Sequence, residues 1–226
     1  MFRFHFASVC LVLSSLLAAQ EATVRGTVNV VHRSKSESGS GEVVVWLTPI
    51  GSHDVVSPGQ TTRLLQKNKR FTPHVLAVTP GTAVEFPNQD PFFHDVFSIY
   101  HGKPFDLGLY ESGEVRKVLF TRPGVSYIFC NIHPEMSAVV VVVNTPYFTI
   151  TGGDGRFSIP RIPPGHYRLE VWHELAESAE LESLARTLQI VPGDNAQTPL
   201  ELHSSDATRE HLNKYGEEYR SDKTKY

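Results

Sequence analysis

Along most of this chain, apolar side chains recur every second residue in short runs, not at helical spacing over long ones. A period of two sends alternate side chains to opposite faces of a pleated strand. Residues 23–31, 43–47 and 62–66 read as strands, and so do 75–78, 83–86, 94–99, 115–120, 125–130 and 138–143. Pro49, Pro80-Gly81 and the stretch 87–91 punctuate them. Residues 34–41 and 51–59 are expected to be loops, and so is 101–113, which holds Gly102, Pro104, Gly108 and Gly113. Further on, 147–150 and 156–159 flank Gly152-Gly153-Asp154-Gly155, a hairpin signal. Residues 160–165 form a proline-rich turn and 166–172 a strand. The acidic, Ala/Leu-rich stretch 174–184 predicts one short helix, and 188–191 and 198–202 are final strands. Many short strands with Pro/Gly punctuation predict an all-β chain built from sandwiches.

The first residues break this pattern. Arg3 precedes an apolar run over 6–17 that ends in Ala18-Ala19-Gln20. The run is too short to span a bilayer, so 1–19 reads as a secretory signal peptide. A lipoprotein anchor would use Cys10, but the residues before it make a poor lipobox. No other run is long and apolar enough to span a membrane, so an exported chain, periplasmic or extracellular, is expected. Its formal charge is only −3, from 21 Lys+Arg against 24 Asp+Glu. So mild a balance argues against nucleic acid as a partner. The highly charged tail, 203–226, is expected to be surface-bound or mobile.

Cleavage would remove Cys10 and leave Cys130 as the one cysteine. A lone thiol in an exported protein pairs between chains, stays reactive, or serves a metal. Its neighbours favour the metal. Cys130, His133 and Met136 lie on one short loop between two strands, and His94 opens another strand upstream. Taken singly, a buried Cys is usually a small hydrophobe and a Met usually packing. Together they are a thiol, two imidazoles and a thioether, the donor set of a blue-copper electron-transfer site. Thiolate and thioether suit Cu(I), and imidazole suits both oxidation states. Zinc favours closed Cys/His tetrahedra and seldom a thioether, so copper is expected.

The spacing Cys130-x2-His133-x2-Met136, with His94 and Phe86-Pro87-Asn88 upstream, resembles the cupredoxins, such as plastocyanin and amicyanin. The ligand loop is most similar to amicyanin's. Phe71-x-Pro73 and Val78-x2-Gly81-x2-Val84-x-Phe86-x-Asn88 match the family's opening strands. The resemblance covers about 61–144. It implies a Greek-key sandwich with one type 1 copper, held by His94, Cys130 and His133 in plane and Met136 axially. Asn88, Asp95 and Pro134 are expected beside these ligands. The family often has Asn where Asp95 stands. Asn there ties the two ligand-bearing loops together; Asp can do so too, but its charge would stabilise Cu(II).

A second resemblance lies in Thr151-x2-Asp154-Gly155-x-Phe157-x-Ile159-Pro160-x-Ile162-Pro163-Pro164-Gly165-x-Tyr167-x-Leu169-x-Val171. It is similar to the carboxypeptidase regulatory-like domain, a transthyretin-like sandwich grouped with carbohydrate-binding-like folds. Val24-x-Gly26-x-Val28 and residues 43–47 look like its first strands. The expected organisation is therefore 23–49 and 147–202 folding together, with the cupredoxin unit inserted. This arrangement resembles bacterial methylamine-utilisation-type proteins.

Enzyme activity is not expected. Asp54, Asp106, Glu111 and Glu114 form no acid/base pair, and Ser-nucleophile, His-x-His and Cys-x2-Cys-His motifs are absent. His74 and His101 are expected at the surface and His173 in a structural role. The leading expectation is a one-electron carrier that passes electrons through His133 to an unnamed redox protein. Two alternatives stay open: a binding module for a glycan or protein with structural copper, and copper delivery or storage.

Overall fold

The computed structural model describes residues 21–32, 42–51, 56–99, 102–205 and 211–219. The expected signal peptide with Cys10, the loop 34–41, Asp54, His101 and part of the charged tail lie outside the described residues.

The described residues are all-β apart from one short helix. β1 (Ala22–His32) and β2 (Val44–Pro49) come first. β3 (Thr62–Arg63), β4 (Leu65–Gln66), β5 (Phe71–Thr72), β6 (Val75–Val78), β7 (Thr82–Pro87) and β8 (His94–Ser98) follow. Then come β9 (Phe105–Tyr110), β10 (Val115–Phe120), β11 (Gly124–Cys130) and β12 (Ser137–Val142). The last part holds β13 (Phe148–Ile150), β14 (Arg156–Ile162), β15 (Gly165–Trp172), helix α1 (Ser178–Leu184), β16 (Arg186–Ile190), β17 (Gly193–Ala196) and β18 (Leu200–Ser204).

Strand pairing joins the first two strands to those beyond residue 147. β1 lies between β14 and β17 and also pairs with β18, while β2 lies between β13 and β15, with β16 beyond. Val24, Val28 and Val30 of β1 and Ile159 and Leu202 meet Val45, Leu47, Leu169 and Ile190 in one apolar core between these two sheets. The middle of the chain builds a second sandwich. One sheet runs β10-β7-β3 and the other β6-β12-β11-β8-β9. Val84, Phe86, Val118 and Phe120 from the first face Val96, Ile128, Cys130, Ala138 and Val140 from the second.

The central strands of the five-stranded sheet are buried on both faces. In β12, Ala138, Val140 and Val142 point into the middle sandwich, whereas Val139 and Val141 point away from it. The outward set packs with Phe97, Tyr127, Phe129 and Val143 against Val44 and Trp172 of the other sandwich. A strand covered on both sides needs apolar residues at every position, which is why 138–143 reads as an unbroken aliphatic run.

Four predicted boundaries change. Residues 105–110 form β9 where the sequence predicts a loop. Phe105 and Leu107 pack on the core, Tyr110 is buried, and an irregular register with β8 absorbs Gly108 at φ +66°. Pro160 to Ile162 continue β14 instead of turning, and 193–196 add a parallel strand beside β1. The helix is confined to its last seven residues.

The interface between the sandwiches also carries a polar tie. His74 lies 2.6 Å from Glu174 through Nε2 and 3.1 Å from the Ser137 carbonyl through Nδ1. The Glu174 hydrogen bond raises the His74 pKa above its ordinary 6.5, against the effect of burial. A raised folded-state pKa contributes stability that is present below 6.5 and lost as pH rises through the folded value. Unfolding free energy is therefore expected to fall modestly across that window, and His74→Gln should flatten the dependence in pH-resolved urea titrations. Trp172→Ala, which empties the apolar interface, is expected to cost about 3–5 kcal/mol in the same measurement.

Candidate metal centre

Two adjacent strands present the site. β8 and β11 pair antiparallel with Cys130 opposite Val96. Alternation then turns His94 and Val96 of β8 and Ile128 and Cys130 of β11 toward the same core, while Phe97 and Phe129 face the other way. After Cys130 the chain turns tightly: the Met136 amide donates to the His133 carbonyl at 3.0 Å, and the Cys130 amide to the Met136 carbonyl at 3.2 Å. That turn brings His133 back over Cys130.

Three donor atoms converge. Cys130 Sγ lies 3.6 Å from His94 Nδ1 and 3.6 Å from His133 Nδ1, and the two ring nitrogens are 3.2 Å apart. The circumradius of a triangle with these sides is about 2.0 Å, within the ~2.0–2.3 Å range of first-row metal bonds to nitrogen and sulfur. The same three residues are the one His/Cys/Asp/Glu group with metal-binding proximity among the described residues. His94 and Cys130 are fully buried and His133 half-buried. Met136 is also fully buried, in the core cluster that contains Cys130.

The ring of His94 is oriented by a carboxylate that sequence reading missed. His94 Nε2 lies 2.9 Å from Asp90 Oδ2. With the proton on Nε2, the Nδ1 lone pair is directed at the other two donors. Asp90 is itself clamped by the backbone amides of Asn68 (2.6 Å) and Lys69 (3.0 Å). Both of those residues have positive φ, so their N–H groups point the same way and form an anion-binding concavity. Burial opposes ionisation of Asp90, but the Lys69 amide, the His94 ring and the Asn68 amide outweigh it and hold the carboxyl below its usual range. Asn88 shapes this turn and does not touch the donors. Its side chain accepts from the Asp90 amide at 2.9 Å and donates to the Phe92 carbonyl at 2.8 Å.

Electrostatics favour a neutral, metal-ready site. Burial lowers the pKa of His94. Burial, then the adjacent His94, pushes His133 down to about 4. Both imidazoles are therefore neutral at physiological pH and keep a lone pair for a cation. Burial also raises the Cys130 thiol, against the backbone amides of Asp95, Ile132 and His133. The thiol is thus protonated until an ion displaces the proton.

Asp95 ties the two ligand-bearing segments. Its carbonyl accepts from the Asn131 amide at 2.8 Å and its carboxylate from Asn131 Nδ2 at 3.1 Å. Its charge is paired: Lys214 Nζ lies 2.9 Å from Asp95 and 3.0 Å from Asp106. Lys214 belongs to the segment 211–219, which returns from the charged tail to the ligand loop. There His211 Nε2 meets the exposed Pro134 at its carbonyl (2.9 Å), and Tyr219 donates to the Cys130 carbonyl (3.0 Å). Nothing in the sequence signals this docking, because Lys214 and Asp95 are 119 residues apart. Asp90 was more accessible to inspection: it stands four residues before His94 in a tight Asn-x-Asp turn.

No protein family and no curated protein matches this chain. Parts of it are similar to solved structures. A Cu-containing nitrite reductase from Thermus scotoductus SA-01 is 29% identical over 43% of this chain and 25% of its own, with a TM-score of 0.36. This chain thus spans about a quarter of that reductase. A purple cupredoxin from Nitrosopumilus maritimus is 25% identical over 36% of this chain and 96% of its own, at a TM-score of 0.33. Amicyanin from Paracoccus versutus is 18% identical over 37% and 81%, at 0.34.

If Asp90 orients His94, Asp90→Asn replaces a charged acceptor with a neutral one. Metal affinity is expected to fall roughly tenfold or more in competition titrations, with the fold retained by circular dichroism.

Proposed function

We propose that this chain is an exported mononuclear copper protein whose site works as a one-electron carrier. The observation that carries the reading is the triangle of two imidazole nitrogens and one sulfur, sized for one ion and built from buried side chains. His94, Cys130 and His133 would hold the ion, with Met136 as a weaker fourth donor. Thiolate, imidazole and thioether together fit copper better than zinc, which rarely accepts a thioether. Bound there, copper supplies a couple that takes up and gives back one electron.

The residues of the chain do the rest. Two strands and a hydrogen-bonded turn hold the donors in place before an ion arrives, so little needs to move between oxidation states. Phe92 packs against both imidazoles, with ring centroids 5.5 Å from His94 and 5.3 Å from His133, and keeps water off the buried side. His133 is the ligand nearest the surface. Its chain neighbours Ile132 and Pro134 are exposed, an apolar rim suited to brief docking of a redox protein.

The same proposal includes the organisation of the chain. Residues 61–144 form a cupredoxin unit inserted between 23–49 and 147–202, which fold together as a regulatory-like, transthyretin-like sandwich. The pairing of β1 and β2 with strands beyond residue 147 supports it. The copper unit is thereby mounted through the outward face of β12, β11 and β8 on a second sandwich.

Loading the purified chain with Cu(II) should produce strong thiolate-to-copper absorption and a matching electron resonance signal, both lost in Cys130→Ser. A wild-type chain that binds copper and stays colourless would falsify the assignment. Met136→Gln is expected to keep copper and lower the reduction potential; an unchanged or raised potential removes Met136 from the ligand set.

A further inference from the structure

We propose that the C-terminal segment 211–219 is a working part of the metal centre: it pins the ligand loop and supplies the counter-charge for Asp95. Its redox consequence rests on the copper reading above; its mechanical consequence does not.

The segment contacts the ligand loop at several points. Tyr219 Oη donates to the carbonyl of Cys130 at 3.0 Å. The Lys214 amide donates to Asn131 Oδ1 at 3.1 Å. His211 Nε2 lies 2.9 Å from the carbonyl of Pro134. The His211 ring also stacks on Phe129, the residue before Cys130, with centroids 3.9 Å apart and planes 22° apart. Tyr219 closes the set edge-on to that ring, with Oη 3.2 Å from His211 Nδ1. Cys130, Asn131 and Pro134 span most of the loop that carries Cys130 and His133. Holding their polar groups from outside restricts the loop in the way a rigid outer layer of partners restricts metal ligands.

The charge argument is separate. Asp95 directly follows His94, and its side chain is 7% exposed. An unpaired carboxylate buried so close to the donors would be costly and would favour the more highly charged oxidation state. Lys214 removes that imbalance. Its ammonium, on a side chain 14% exposed, bridges Asp95 at 2.9 Å and Asp106 at 3.0 Å. Hydrogen bonds and charge from both carboxylates outweigh burial and hold the Lys214 pKa above its ordinary value. Asp95 and Lys214 thus act as a matched pair supplied by distant parts of the chain. Lys214 and Tyr219 touch no donor atom, so they are positioning residues.

The test uses the full chain. Lys214→Met is expected to shift the midpoint potential of the copper-loaded protein downward. Adding Asp95→Asn should reverse the shift, and Lys214→Arg should stay near wild type. A Lys214→Met potential that is unchanged or higher overturns the charge pairing. Pinning is read without copper, by amide hydrogen exchange over 131–136 in the apo chain. Tyr219→Phe and His211→Ala should each quicken exchange there several-fold, as expected for loss of one hydrogen bond. Unchanged exchange in both variants overturns the pinning. A wild-type chain with no thiolate band would sink the copper reading alone, because the exchange measurement stands apart from it.

Discussion

The structure depends on the central strands of one sheet being buried on both faces. β12, β11 and β8 stand between two apolar cores, and the two-residue period of a strand assigns each side chain to one or the other. Val139, Val141, Phe129 and Phe97 anchor the sheet to Val44 and Trp172. Because those positions are committed to the interface, Cys130, Ile128, Val96 and His94 must face the middle sandwich. A one-residue slip of β11 against this background would turn the thiol into the interface and a phenylalanine into the donor cluster. The register that stabilises the junction between sandwiches is therefore the same register that assembles the site.

The donors then meet through local chemistry. The 88–93 turn positions the Asp90 carboxylate, which two left-handed residues, Asn68 and Lys69, grip through their amides. Asp90 fixes which nitrogen of His94 carries the proton. The 130–136 turn closes on its own backbone hydrogen bonds and delivers His133. Burial keeps the imidazoles neutral and the thiol protonated, so the three donor side chains carry no charge until a cation displaces the thiol proton.

The segment 211–219 alters the picture of the tail. The sequence marks the tail as surface-bound or mobile without saying where it would bind; the segment settles against the 130–136 loop. Its contacts are few and mostly polar, and each satisfies a group that strand pairing leaves over: the carbonyls of Cys130 and Pro134, and the Asn131 and Asp95 side chains. Such contacts carry no periodicity and no composition signal.

What the chain announces by itself follows from periodicity and donor chemistry. Alternation and short apolar runs marked the strands, 138–143 among them, and Cys130-x2-His133-x2-Met136 marked a soft-donor loop, because these are local properties of neighbouring residues. His94 was legible as a candidate, though its distance from Cys130 was not. Tertiary structure alone decided what depends on residues far apart. It made a strand of 105–110 by giving Phe105 and Tyr110 a core to join, it aimed His94 through Asp90, and it set Lys214 against Asp95. A residue's neighbours in sequence limit its own conformation, but which charge it meets across a hundred residues is settled only when the sheets pack.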